Sequence, residues 1–397
     1  MKPPSATAII AMIYSMALSC LGWKMAATSV LLQSSVAFVP DYAHRVVRMP
    51  LPERTEEANP SLFGSAPSGL RRRNQHYQQE RTNHHRRYGA HPHHELSASK
   101  ITSEEVRIRN LEQLDKLRSR DRQSIEISPG ELKIIYEDEH IVCVDKPSGV
   151  LCVPSEEGIP TLAQTVFETV PNRQSSLDRM VVHRLGMDTS GLVLFAKTMD
   201  SLRGMNTLFR TRKITRRYEA LVCGHLSDDE GTIDMPLMRD YVRPPFMRIS
   251  TDEHQRVLLD LDASIVGKKL LEAPKASKTM YEVLARETFL DTDLPVTRLL
   301  LTSVTGRTHQ LNVHMAAIGH PIVGDKVYGW NGDAVPNGGL NKNDDDNNTA
   351  GEKELQEAIG AVATNMCVHA KCLSFQHPML SPDGEDDPLY FECATPF

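Results

Sequence analysis

Residues 191–197, Gly-Leu-Val-Leu-Phe-Ala-Lys, form a short and nearly continuous apolar run directly after a polar turn. A run of this length suits a strand buried on both faces. The chain must therefore build layers on both sides of at least one sheet. Thr198 follows as an N-cap, and Met199, Leu202, Met205 and Phe209 recur at helical spacing, expected to face the core. Upstream, residues 133–136 and 141–144 are apolar segments flanking the polar turn 137–140, a β-hairpin or strand–turn–strand pattern. Further strands are expected at 218–222, 279–284 and 297–301. Leu311, His314, Met315 and Ile318 make a helical stripe ended by Gly319 and Pro321. Strands and helices mix without regular alternation, which predicts an α+β fold rather than a doubly wound sheet.

The 397 residues are 40% hydrophobic and 24% charged, enough for a large core and unlike a disordered or collagenous chain. The net charge of −6 hides an asymmetry: the first hundred residues carry +6 and the rest −12. Residues 101–129 read as a charged helix or linker, and 130–397 as one domain with insertions near 236–265 and 331–365. Residues 331–357, with Asp344-Asp345-Asp346 and seven acids against two lysines, and residues 383–387 read as solvated loops. The seven cysteines include no C-x-x-C pair, so neither a disulfide framework nor a zinc site is expected.

Residues 7–23 are an apolar run behind Lys2, short for a bilayer span and suited to a signal-peptide core within 1–37. Ser35-Val36-Ala37 places small residues where a signal peptidase reads, and Phe38 follows. This string resembles the cleavage motif of bipartite plastid-targeting presequences in algae with secondary plastids. Residues 38–100, basic and rich in Arg, Ser, Pro and His, suit the transit peptide, although Glu53, Glu56 and Glu57 depart from that pattern. Plastid delivery is the expectation; the alternatives are the mitochondrion or a secretory-pathway anchor.

Four segments carry polar residues in a fixed order. They are Lys146-Pro147-Ser148-Gly149; residues 182–191, Val-His-Arg-Leu-Gly-Met-Asp-Thr-Ser-Gly; residues 213–221, Lys-Ile-Thr-Arg-Arg-Tyr-Glu-Ala-Leu; and residues 305–314, Thr-Gly-Arg-Thr-His-Gln-Leu-Asn-Val-His, followed by Gly319-His320-Pro321-Ile322-Val323-Gly324-Asp325. Together they resemble the RluA-type family of RNA pseudouridine synthases over about 131–397. The end of the chain, with Met366–Ala370 and Phe375–Pro378, resembles it too. No segment resembles the S4-type RNA-binding module that some relatives carry.

The resemblance implies a mixed, mainly antiparallel sheet with flanking helices and a central cleft. It also implies a monomer that flips a uridine out of structured RNA (rRNA or tRNA) and rejoins its base through carbon, with no metal or nucleotide cofactor. No stable membrane association is expected after processing. The family's nucleophile is an Asp, at the position of Gly186 here; the essential carboxylate is missing. The Arg that lies near that carboxylate in the family is Asn312 here. The losses fit together, because a cation without its anion in a desolvated pocket is strongly destabilising. Asp188 is the nearest acid, but residues two apart on an extended segment sit about 7 Å apart, and catalytic groups need placement within about 0.5 Å.

Other matches are retained. Tyr218 falls at the family's base-stacking Tyr, and Arg184 at the residue that fills the gap left by a flipped nucleotide. His183, Arg307 and His309 are expected in the cleft. Residues 203–217 supply Arg203, Arg210, Arg212, Lys213, Arg216 and Arg217 with no acid among them, a basic patch for RNA. Three functions stay open: an RNA binder of this family with lost catalysis, an active synthase of organellar RNA, and a fold repurposed for protein contacts. Gly186 and Asn312 argue against the second; Tyr218, Arg184 and the basic patch argue against the third.

Overall fold

The computed structural model describes residues 101–397 apart from 155, 157, 341–347 and 381–386. The expected presequence, the Asp344–Asp346 run and most of 383–387 lie outside the described residues.

Helix α1 (Ser103–Asp121) opens on a capping box in which Thr102 and Glu105 satisfy each other's backbone N–H. Strands β1 (Lys133–Glu137) and β2 (Ile141–Lys146) form the expected antiparallel pair. After α2 (Leu162–Thr169) comes β3 (Ser190–Ala196), every residue of which is buried. The apolar run has the predicted cause. Val193 and Phe195 pack with Val142, Val144 and Leu162 on one face, and Leu192 and Leu194 with Ile141, Cys143 and Met205 on the other. Each such side chain contributes about 1.5–3 kcal/mol on full burial.

Helix α3 (Met199–Arg210) follows, capped by Thr198, with Ser201 and Met205 as its buried positions. Strands β4 (Ile214–Cys223) and β5 (Glu230–Asp234) lead into the expected insertion near 236–265. It folds as a two-stranded ribbon, β6 (Leu237–Arg239) with β7 (Met247–Ile249), then helices α4 (Asp252–Leu259) and α5 (Ala263–Val266). Strands β8 (Lys278–Thr288) and β9 (Pro295–Ser303) and helix α6 (Gln310–Ala317) match the remaining predicted elements. Helix α7 (Asn348–Val362), β10 (Val368–Phe375) and β11 (Leu389–Glu392) complete the order.

The main sheet runs β1-β2-β3-β10-β4-β9-β8-β5, with β11 paired to β10. Every pairing is antiparallel except β3 with β10. The fold is thus α+β, with a mixed, mainly antiparallel sheet and flanking helices. At the parallel crossing Ala370 sits opposite Gly191. Gly191 has φ +109°, and a Cβ there would lie 2.4 Å from the Ala370 carbonyl oxygen. Only glycine allows β10 to wedge in between β3 and β4.

The reading of 331–357 as a solvated loop is corrected from Asn348 onward, where the chain is helical. Leu355, Ile359 and Ala363 recur every four residues and pack against Leu221, Cys223 and Val323. Asn, Asp and Gly dominate the surrounding composition and mask this short apolar stripe. Among the described residues all six cysteines are buried and unbridged, and no helix is long and apolar enough to cross a membrane.

Candidate active site

A cleft of about 640 Å³ opens against the sheet face that carries Tyr218. One wall is the loop 182–189 that enters β3. It is held from behind by Lys146-Pro147-Ser148-Gly149, the first of the four ordered segments. Lys146 is fully buried, and its ammonium donates to the carbonyls of Pro147 (2.8 Å), Val150 (2.7 Å) and Met187 (2.9 Å). Burial lowers its pKa to about 8. Three acceptor carbonyls nonetheless match the three donors of the charged form. The Gly149 N–H also donates to the Met187 carbonyl at 3.0 Å, and the Ser148 hydroxyl to the Asp188 carbonyl at 2.8 Å. This segment is a brace for the loop at 186.

Gly186 lies exposed on that loop and lines the cleft. A Cβ built on it meets only the Thr189 hydroxyl, at 3.4 Å, and its backbone avoids the left-handed region. Neither conformation nor crowding requires glycine here. Asp188 lines the same cleft, its carboxylate in an ion pair with Arg120 of α1.

Strand alternation sorts the basic patch. Arg216 and Tyr218 share the cleft face of β4, whereas Thr215 and Arg217 project from the other and are exposed. Lys213 precedes the strand and is also exposed, outside the cleft lining. The Arg216 guanidinium lies 5.9 Å from the Phe209 ring centroid and covers Gly306, where a Cβ would meet it at 2.5 Å. Tyr218 lines the cleft; burial raises its pKa and Arg216 offsets this in part. Its hydroxyl makes no hydrogen bond among the described residues, so it is available to a ligand.

His183 also lines the cleft, yet its ring is engaged with the fold. Its Nε2 accepts the Leu194 N–H at 2.9 Å, and the ring packs on Phe209 at 4.9 Å. Burial, assisted by Arg216, lowers its pKa to about 3, so the imidazole is neutral and pins the loop to β3. Arg184 is exposed in the cleft wall.

The opposite wall is built around α6. Gln310 ties it to the sheet: its oxygen accepts from the Thr305 hydroxyl and the Arg307 N–H, and its amide donates to the Lys278 carbonyl and Thr279 hydroxyl. Arg307 lines the cleft, with Nε on the Ala276 carbonyl at 3.2 Å. His309 adopts φ +51° at the N-cap, and its Nδ1 and the Tyr328 hydroxyl share a hydrogen bond at 2.7 Å. The surrounding protein lowers its pKa, Asp325 opposes this, and the charges of Arg120, Arg184 and Arg239 add to it. Asn312 donates to the Asp325 carboxylate at 2.7 Å, and the N–H groups of Val327 and Tyr328 take that carboxylate's other oxygen.

The cleft thus gathers His183, Arg184, Gly186, Arg216, Tyr218, Arg307, His309 and Asn312, and leaves Lys213 and Arg217 outside. Sequence reasoning missed Arg120, Asp121 and Tyr328, which also line it. Tyr328 was within reach, since it follows Gly324-Asp325 by three residues. Arg120 carried no local signal.

One group among the described residues, Asp145, His369 and Cys393, brings three metal-type donor atoms within 4.8 Å of one another. It lies on the sheet face opposite Tyr218, since His369 pairs with Glu219. There the His369 Nε2 and the Cys393 thiol hydrogen-bond at 2.9 Å, and Nδ1 meets the Ser190 hydroxyl at 2.8 Å. Zinc with bonds of about 2.0 and 2.3 Å would hold tetrahedral N and S ligands about 3.5 Å apart. The group reads as a hydrogen-bonded lock between β10 and the start of β3.

Comparison with known proteins agrees with the motifs. Residues 140–317 match the family described as RNA pseudouridylate synthase. A Pasteurella multocida protein, dual-specificity RNA pseudouridine synthase RluA, is 34% identical over 248 residues, which cover 62% of this chain and 88% of that protein. The Yersinia pestis protein of the same name is 32% identical, over 66% of this chain and 99% of its own length. The chain belongs to the RluA-type pseudouridine synthase family. Among solved structures, human RNA pseudouridylate synthase domain containing 1 aligns with a TM-score of 0.47 at 24% identity, covering 69% of this chain and 87% of that one. The cleft described above is lined in part by residues within this matched range, Gly186 among them.

Proposed function

We propose that this chain binds structured RNA, rRNA or tRNA, in a pseudouridine synthase cleft that has lost the capacity to isomerise uridine. Position 186 carries the proposal. The family's chemistry needs a short, ionised side chain there, and glycine offers none. Of the three cleft carboxylates, Asp188 is held by Arg120 and Asp325 by Asn312 and two backbone N–H groups, while Asp121 stands on α1 and not on the loop that carries position 186. The RNA-binding half rests on what is kept. Arg184, Arg216 and Arg307 offer cations to phosphate, and Tyr218 offers an aromatic face with an unengaged hydroxyl.

The purified full chain should bind a uridine-containing RNA stem–loop with an affinity that falls steeply with salt, and should form no pseudouridine on it. Product formed by the natural chain at a rate typical of an enzyme would refute the loss of catalysis. Absence of any salt-dependent binding would refute the RNA-binding half.

We also propose delivery to the plastid, on the strength of the Ala37-Phe38 motif and the basic tract behind it. A fluorescent reporter fused behind residues 1–100 should accumulate in the plastid of a secondary-plastid alga. Substituting Phe38 by Ala should divert it. Mitochondrial or secretory accumulation of the unsubstituted reporter would contradict this reading.

A further inference from the structure

Helix α1 precedes the residues that match the family, yet it is built into the cleft. Near its start, Val106 is fully buried against Met238, Leu258 and Leu261 of the insertion. The Ser103 hydroxyl accepts the Asp262 N–H at 2.9 Å. At its far end, Arg122 pairs with Glu156 at 3.1 Å. Just beyond, the Ser124 hydroxyl donates to the Pro160 carbonyl at 2.8 Å and accepts from the Leu151 N–H at 2.9 Å. A helix anchored at both ends against different parts of the domain is a wall, not a mobile arm.

From this wall Arg120 reaches the cleft and pairs with Asp188. Two physical consequences follow. An uncompensated carboxylate two residues from Gly186 would repel an RNA backbone entering the cleft, and Arg120 neutralises it. A guanidinium has five N–H donors in a planar fork, and one carboxylate engages at most two in bidentate fashion. Arg120 is about one-third exposed, so the remaining donors are open to a second acceptor.

We propose that Arg120 is an RNA-binding residue of this cleft: it masks Asp188 and binds an RNA phosphate with its remaining donors, supplying from α1 a cation that Asn312 no longer provides. The proposal rests on the RNA-binding reading above.

The test uses the full chain and a fluorescently labelled RNA stem–loop with uridines in its loop, titrated by anisotropy over a series of KCl concentrations. Arg120→Ala should weaken binding about tenfold and reduce the slope of log affinity against log salt by about one. Arg120→Lys, which keeps the charge, should retain the full slope. Asp188→Asn should bind at least as tightly as the natural chain, and added to Arg120→Ala it should recover part of the lost affinity. An affinity loss in Arg120→Ala with an unchanged slope would mean that Arg120 only shapes the loop, and would overturn the proposal. Equal or tighter binding by Arg120→Ala would overturn it as well, tighter binding identifying α1 as a plug. If the natural chain binds no RNA, the RNA-binding reading itself falls, and this proposal with it.

Discussion

A chain carrying Gly186→Asp and Asn312→Arg together should form pseudouridine in a uridine-containing RNA on the order of a thousandfold or more faster than the natural chain. Removing a nucleophile from an otherwise intact site costs factors of that size or larger, and restoring one should return much of the loss. The structure makes the substitution practicable. A Cβ at 186 meets one flexible hydroxyl at 3.4 Å, and the backbone there suits any L-residue. The loop is already braced by Lys146, Ser148 and Gly149, so a new carboxylate enters a preorganised position. Both substitutions are needed, since an ionised Asp in a partly desolvated cleft wants a cation beside it, and an arginine at position 312 would also keep Asp325 as a partner. Quantifying pseudouridine by mass spectrometry of digested RNA decides the matter. Product from the natural chain at the rate of the double variant would show that another carboxylate does the work, and Asp188→Asn and Asp121→Asn would then identify it. A double variant that binds RNA as the natural chain does, yet gives no product, would show that the cleft has lost more than these two groups.

Gly191→Ala should destabilise the fold by about 4 kcal/mol. Two costs of about 1–3 kcal/mol each act together: an L-residue forced to φ +109°, and a methyl driven to 2.4 Å from the Ala370 carbonyl oxygen and 2.5 Å from its nitrogen. Backbone of a central strand cannot step aside without parting β3 from β10. Gly186→Ala is the control, five residues earlier on the same segment, and should change stability by no more than about 0.5 kcal/mol. Urea unfolding followed by circular dichroism separates the two, provided the slope with denaturant is unchanged. Equal midpoints for both variants would mean that the close β3–β10 approach is not a constraint.

The two glycines show how the chain divides between what its residues announce and what they conceal. Both stand in one ten-residue motif and look alike as letters. That Gly191 is a steric necessity depends on Ala370, nearly two hundred residues away, and that Gly186 is not depends on the open space around it. The same holds for His183. The motif places it beside the cleft, but its commitment to the Leu194 N–H and the Phe209 ring is visible only once β3 and α3 are packed. Arg217 sits next to Arg216 in sequence and Lys213 three residues before it, and a period of two sends Arg217 to the opposite face of the sheet. Helix α7 went unread because the Asn-, Asp- and Gly-rich residues before it mask its apolar stripe, and the burial that stabilises it is supplied by β4 and the segment around Val323.

Local patterning therefore determined the α+β class, most strands, the helices after Thr198 and before Gly319, and the family. Each of these depends on residue identity at short spacing: periodicity, caps and ordered motifs. Tertiary structure decided the rest. It wedged β10 between β3 and β4, turned Lys146 into a brace, and brought Arg120 from a helix outside the matched residues to Asp188. These contacts join residues dozens to hundreds apart, and no local spacing encodes them. Their free energy comes from burying apolar surface and satisfying polar groups among distant segments, and that sum exists only in the folded chain.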